Sequence, residues 1–156
     1  VLTLLDPERD TLGSGWNIIQ SRIAIGSGGP TGKGFLEGTQ TKYEFLPAAH
    51  TDFIFSVIGE ELGFMGAVFV LSLFLFLIWR ALSIGTMANS RFASLLAVGL
   101  GSILTFHVFV NVGMTIGVMP VTGLPLPFLS YGGSSLITNA LAVGLLLHIY
   151  AHRHEY

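Results

Sequence analysis

The chain has 156 residues, 51% of them hydrophobic and 10% charged, with a formal net charge of −2 and a mean hydropathy of +0.72. Soluble domains carry about 25% charged residues, so this composition points to a membrane protein, and the weak negative charge without a basic cluster excludes a nucleic-acid binder. The absence of cysteine excludes disulfide scaffolds, cysteine nucleophiles and thiolate metal sites.

The chain opens Val1-Leu2-Thr3-Leu4-Leu5-Asp6, with no initiator Met and no charged region before an apolar core. That is not a signal peptide, and it reads as a piece of a longer polypeptide. Residues 1–51 hold four basic and five acidic side chains and no apolar run long enough to span a bilayer. Asp6-Pro7-Glu8-Arg9-Asp10 reads as a turn. Trp16 to Ile25 has mixed apolar spacing that suits a short interfacial helix. Gly26-Ser27-Gly28-Gly29-Pro30-Thr31-Gly32-Lys33-Gly34 is loop, its glycines permitting close backbone approach to a ligand. It is not a Walker A loop, because Thr31-Gly32-Lys33-Gly34 lacks the Ser/Thr after the lysine and no strand precedes it. A phosphate-cradling nest around Lys33 competes here with a plain flexible loop. For Lys42 and Arg22, anion contacts likewise compete with solvated surface charge.

His50-Thr51-Asp52-Phe53-Ile54-Phe55-Ser56-Val57-Ile58-Gly59-Glu60-Glu61 joins the polar part to the apolar part. Acidic groups at the mouth of a membrane helix are costly, which makes them functional candidates. If the stretch is helical, Glu60 lies about 80° round from Asp52 and about 12 Å further along the axis, with Glu61 on the opposite face. Asp52 and Glu60 are then expected to line one cavity. The alternative for Asp52 is an acid stabilised by the helix dipole. For Glu60 and Glu61 it is pairing with an arginine from a helix elsewhere in the protein.

Three spanning segments follow: Leu62 to Trp79, continuing backward through Phe53, then Phe92 to Val110, then Ser134 to Tyr150. Gly99, Gly101 and Gly144 suit close helix contact. Arg80 and Arg91 bracket the first connection and Arg153 follows the third helix, whereas residues 111–133 carry no charge. The positive-inside rule therefore places 80–91 and the tail in the cytoplasm and residues 1–52 and 111–133 on the outer face. The stretch from Met119 to Ser135 holds three prolines in eight residues and cannot be regular helix. Irregular backbone at that depth must be buried or line a wet cavity, so it is expected to fold back over the bundle, close to Asp52. His107 and Asn111, one turn apart, suit an interhelical hydrogen bond better than a metal site. Ser134 or Ser135 is the expected helix N-cap, since no Gly-x-Ser-x-Gly nucleophile motif is present.

Several longer strings add to this reading. They are Gln20-Ser21-Arg22-Ile23-Ala24-Ile25-Gly26-Ser27-Gly28-Gly29, Gly32-Lys33-Gly34, Gly38-Thr39-Gln40, Phe45-Leu46-Pro47, His50-Thr51-Asp52-Phe53-Ile54-Phe55, Asn111-Val112-Gly113-Met114 and Pro125-Leu126-Pro127-Phe128-Leu129-Ser130-Tyr131-Gly132-Gly133-Ser134-Ser135. Together they resemble the SEDS family (shape, elongation, division and sporulation) of bacterial peptidoglycan glycosyltransferases, nearly end to end. Gly123-Leu124-Pro125-Leu126-Pro127 is similar to the elongation branch rather than the division branch.

The resemblance implies an all-α polytopic membrane protein: the C-terminal three transmembrane helices of a ten-helix fold plus a large extracytoplasmic loop. The expected layout is a glycine-rich outer loop at 1–51, a transmembrane helix at 52–82, a cytoplasmic loop at 83–91, and a second helix at 92–112. A re-entrant-like outer loop at 113–133, a third helix at 134–150 and a cytoplasmic tail at 151–156 complete it. The implied activity is polymerisation of lipid II into glycan strands during cell elongation, on the outer face of the bacterial cytoplasmic (inner) membrane. Implied partners are lipid II, a class B penicillin-binding protein transpeptidase, other elongation-complex membrane proteins and membrane lipids, with no nucleic acid. The family's essential aspartate falls on Asp52, as general base. Candidates for substrate contact are Gln20, Arg22, Lys33, Lys42, His50, Glu60, Ser130 and Tyr131, and no metal-ligand set is expected. The pyrophosphate leaving group needs positive charge, for which these cations, the glycine loop or a divalent cation (Mg or Mn) are candidates. A lipid II flippase without chemistry, a division-type polymerase and a non-catalytic scaffold for the transpeptidase are the alternatives.

Overall fold

The structure, a computed structural model, describes residues 14–34 and 51–152. It is all helical: α1 (Ser14–Ser27), α2 (Ile54–Glu61), α3 (Gly63–Met87), α4 (Arg91–Thr115) and α5 (Gly133–Ala151). The last three are long and apolar enough to cross a membrane. At 1.5 Å per residue, α3 and α4 reach about 37 Å and α5 about 28 Å, against a hydrocarbon core of about 30 Å.

The sequence leads one to expect a single helix running from the Asp52 region to Leu82. The chain instead breaks at Leu62 and Gly63, and α3 continues to Met87. Gly63 adopts φ +66°, a conformation that an L side chain resists. The break is bridged by the glycine loop that follows α1. Backbone N–H groups of Lys33 and Gly34 donate to the carbonyls of Glu60 and Glu61, both at 3.1 Å. The carbonyls of Gly29 and Pro30 accept from Phe64 (2.9 Å) and Met65 (3.2 Å). Helix ends leave amides and carbonyls without intrahelical partners, and here one loop satisfies both sides of the break. A Cβ built at Gly28 would overlap the Gly59 carbonyl oxygen, and one at Gly32 would overlap that of Glu61. These glycines permit backbone-to-backbone packing; the described part of the loop is clasped, not a flexible tether.

At its other end α3 continues past Arg80, whose guanidinium lies over the Tyr150 ring of α5, 4.6 Å from its centroid. Ala88 is extended, and Ser90 starts α4 by accepting the Ala93 N–H at 3.1 Å. Helices α3 and α4 pack closely near this turn. Ser94 Oγ donates to the Gly85 carbonyl at 2.7 Å, and a Cβ at Gly101 would lie 3.3 Å from the Ala81 Cβ. Gly101 thus serves helix contact as expected, whereas Gly99 and Gly144 face open space among the described residues. Ala81, Ile84, Ala97 and Leu146 form the core here; Phe55, Phe74, Val108 and Leu126 form it at the opposite end.

Much of the remaining surface is apolar. Phe64, Met65, Leu75, Trp79, Phe92 and Leu95 are exposed, and Leu146 is the buried side chain of α5. Patches of this extent mark contact with lipid or protein rather than water. The N-cap of α5 is Gly132, not Ser134 or Ser135; Ser135 Oγ instead donates back to the Gly132 carbonyl at 2.9 Å.

Replacing Gly63 by Ala combines a left-handed backbone with a Cβ pressed into the Gly32 amide. We expect a loss of about 1–3 kcal/mol, read as a lower unfolding midpoint in detergent. Gly26→Ala, with open space around the added methyl, should stay within about 0.5 kcal/mol of the parent. Equal midpoints for both variants would overturn the clasp.

Candidate functional site

Phe53 anchors the turn that carries Asp52. Its ring is buried with Val57 against Ile54 and Val121, and its carbonyl accepts the Ser56 N–H at 2.9 Å to start α2. With Phe53 turned into the core, Asp52 is left half-buried ahead of the helix rather than on it. The 100° projection from Asp52 to Glu60 therefore does not apply.

The Asp52 backbone is held from α4. Asn111 is fully buried, and its Nδ2 donates to the Asp52 carbonyl at 3.0 Å and to the Leu124 carbonyl at 2.7 Å. One carboxamide thus joins the aspartate turn to the proline-rich connection between α4 and α5. Gly123, at φ +69°, completes the junction, since a Cβ built there would lie 3.6 Å from Asp52 Oδ2. The connection folds back over the bundle beside Asp52, as its prolines predict.

That connection is fixed by its own backbone and by α4. Every carbonyl in the last turn of α4 finds a donor. Val112 accepts the Ile116 N–H, Gly113 those of Val118 and Met119, and Met114 that of Gly117. Thr115 accepts the Ser21 hydroxyl from α1 at 2.6 Å. Ser21 Oγ also meets Ser56 Oγ of α2, and all three of Ser21, Ser56 and Thr115 are fully buried. The single Ser21 proton goes to Thr115, so Ser56 is the donor in the hydroxyl pair. Further along, Leu126 is buried in the core, and its N–H donates to Ser130 Oγ at 2.7 Å while Ser130 N–H returns a bond to the Leu126 carbonyl at 3.1 Å. Phe128, inside that turn, has φ 64°.

The candidate contact residues separate accordingly. Glu60 is fully buried and pairs at 2.8 Å with Lys33 Nζ, a lysine of the clasp. Ser130 is closed into its turn and Gln20 is buried on α1. Tyr131 is 82% exposed. Arg22 is exposed, its Cδ 3.0 Å from where a Gly117 Cβ would stand, which puts a cation at the foot of the connection. Lys42 and His50 lie outside the described residues. An apolar groove of about 300 Å³ runs between α3 and α4 beneath the connection, lined by Leu71, Ile78, Val108, Val112 and Met119. Among the described residues no three His, Asp or Glu side chains converge.

Sequence reasoning missed two features. Asn111 bonds main-chain carbonyls of two non-helical segments rather than another helix; a lone carboxamide near the end of an apolar helix was the available signal. The Ser21, Ser56 and Thr115 contact had none, since its members stand far apart among many other hydroxyls.

Residues 1–155 match the family model FtsW/RodA/SpoVE, described as cell cycle protein. The chain is 54% identical over 153 residues to peptidoglycan glycosyltransferase MrdB of Escherichia coli (strain K12), covering 98% of this chain and 41% of that protein. It is 51% identical over 153 residues to peptidoglycan glycosyltransferase RodA of Treponema pallidum (strain Nichols), covering 98% and 35%. Among solved structures it superposes on a chain of a peptidoglycan synthase complex, described as coordinating polymerization and crosslinking, with a TM-score of 0.82 at 38% identity. That match covers 99% of this chain and 41% of the other. The chain therefore spans about two-fifths of the length of these relatives.

The buried Glu60 and the clasp lysine should be energetically coupled. In a double-mutant cycle of Lys33→Met and Glu60→Gln we expect a coupling of about 1–2 kcal/mol, measured by unfolding in detergent. Additive effects would show that the pair is incidental to the clasp.

Proposed function

The chain belongs to the FtsW/RodA/SpoVE family of cell cycle proteins, and from that premise we propose that it carries the catalytic aspartate of a peptidoglycan glycosyltransferase. The substrate is lipid II, and the product a growing glycan strand. Likeness to MrdB and RodA, together with Pro125 rather than a threonine before Leu126, supports the elongation-type enzyme over the division type. The observation that carries the reading is the junction at Asn111, which places the Asp52 carboxylate against the uncharged connection at Gly123.

The chemistry follows from what each group can do. The 4-hydroxyl of the acceptor GlcNAc loses a proton as its oxygen attacks the anomeric carbon of the lipid-linked donor. Asp52 takes that proton as general base, a role that contributes about 10²–10⁴-fold. The bond to the undecaprenyl pyrophosphate breaks, and the leaving group departs as an already stable anion, so a protein general acid is dispensable. What the pyrophosphate needs is fixed positive charge. Lys33 is engaged by Glu60, which supports Arg22, exposed at the foot of the connection, among the described cations. The apolar groove between α3 and α4 offers a path for part of the polyprenyl chain.

Sidedness follows from charge. Arg91 opens α4 at the turn from α3, Arg153 follows α5 in sequence, and Asp52 lies at the opposite end of α4 from Arg91. The positive-inside rule then puts the site on the outer face of the cytoplasmic membrane. A class B penicillin-binding protein is the proposed partner, supported by the likeness to a chain of a peptidoglycan synthase complex.

The test is polymerisation of purified lipid II by the full-length protein with its transpeptidase partner. Asp52→Ala and Asp52→Asn should lower the rate at least about 100-fold while the proteins still insert and co-purify. Full activity in either variant removes Asp52 from the site. Inactivity of the parent, with lipid II crossing vesicle membranes, would replace the transferase by a flippase.

A further inference from the structure

Asn111 is set up to do more than stabilise α4. Two carbonyl oxygens flank the same terminal atom of its side chain, so that atom is the nitrogen; the flipped amide would place oxygen against oxygen. Both Nδ2 protons are therefore spent, one on Asp52 and one on Leu124. Oδ1 is buried without a hydrogen-bond partner among the described residues. A buried acceptor left unmade is unfavourable, and an apolar side chain would avoid that cost if packing were the whole role. What the amide holds is the main chain of the proposed base.

The contacts close a small ring. Asn111 holds the Asp52 carbonyl, the Asp52 carboxylate faces Gly123, and Gly123 is bonded to Leu124, whose carbonyl returns to Asn111. One group thus fixes both the backbone that carries the carboxylate and the wall that the carboxylate faces. We infer that Asn111 is a positioning residue for Asp52, setting the distance between the base and the proline-rich connection so that the acceptor hydroxyl meets the carboxylate in line. The inference rests on the reading of Asp52 as general base. Asn111 itself is fully buried and does not touch substrate. A base displaced by about 1 Å loses about 10²-fold in rate, whereas substrate held by the groove and by cations elsewhere stays bound. The signature is therefore a fall in kcat at constant KM.

The experiment uses the full-length protein with its transpeptidase partner, lipid II as substrate, and the variants Asn111→Leu, Asn111→Gln, Gly123→Ala and Asp52→Ala. Asn111→Leu matches the amide in shape but has no donor; we expect kcat to fall about 100-fold with KM within threefold. Asn111→Gln keeps both N–H donors on a longer arm and should recover about tenfold of that loss. Gly123→Ala should lower kcat without raising KM, because an L side chain strains the backbone at φ +69° and shifts the wall that the carboxylate faces. Wild-type kcat in folded Asn111→Leu, with Asp52→Ala inactive, overturns the positioning role and leaves the base in place. Loss of activity in proportion to loss of folded protein also overturns it. If Asn111→Leu is not recovered folded, wild-type kcat in both Asn111→Gln and Gly123→Ala overturns it instead. Full activity in Asp52→Ala would sink the underlying reading first.

Discussion

A hydrogen bond that water cannot replace organises this molecule. Where the backbone leaves helical geometry at or near membrane depth, its carbonyls and amides must find partners within the protein. Asn111 answers that demand for two segments at once, the turn at Asp52 and the connection at Leu124. Most of the end that carries Asp52 follows from these bonds. The turn can be irregular because its carbonyl is satisfied, and the connection can lie over the bundle because it is tied down between its prolines.

The same constraint is met elsewhere by small groups. The break between α2 and α3 is closed by main-chain bonds from the glycine loop, and the last turn of α4 is closed by its own loop amides and by Ser21. Glycine and serine suit this task because they bring donors and acceptors close without bulk. Long side chains are spent instead on the apolar exterior or, as with Lys33 and Glu60, on an ion pair fastening loop to helix. The end that carries Asp52 thus adds polar contacts to its core of Phe55, Phe74, Val108 and Leu126, and the opposite end packs Ala81, Ile84, Ala97 and Leu146.

Hydropathy made the three long helices legible, and the absence of charge between α4 and α5 together with the prolines made the folded-back connection legible. Asp52 stood out because a carboxylate beside an apolar run needs a reason. What failed was extrapolation through Gly63. A helical projection carries no signal for a left-handed residue that splits one apparent segment into two, and the projection from Asp52 to Glu60 fails for a separate reason, because the helix begins only at Ile54 and Asp52 lies ahead of it. The purpose of the glycine-rich loop was equally hidden. Gly28 and Gly32 look like ligand-cradling glycines in sequence, yet they lie against the carbonyls of Gly59 and Glu61. Close approach was read correctly; what is approached was not, because the partner backbone lies about 30 residues away and leaves no local periodicity.

The length of α4 has a consequence for the level of Asp52 in a bilayer. At about 37 Å the helix exceeds the hydrocarbon thickness by about 7 Å. With that excess shared between its ends, Asn111, about 6 Å below the terminus at Thr115, falls close to the boundary between acyl chains and headgroups. Asp52 is bonded to it and shares that level. For the proposed transferase, the phosphates of a lipid-linked donor already lie at this height. The donor then meets the base by lateral diffusion, with its tail remaining in the acyl layer and no need to be lifted out. The steep change from oily to aqueous surroundings across those few ångströms suits a site that must strengthen charge interactions and still release an extending, fully hydrated sugar chain.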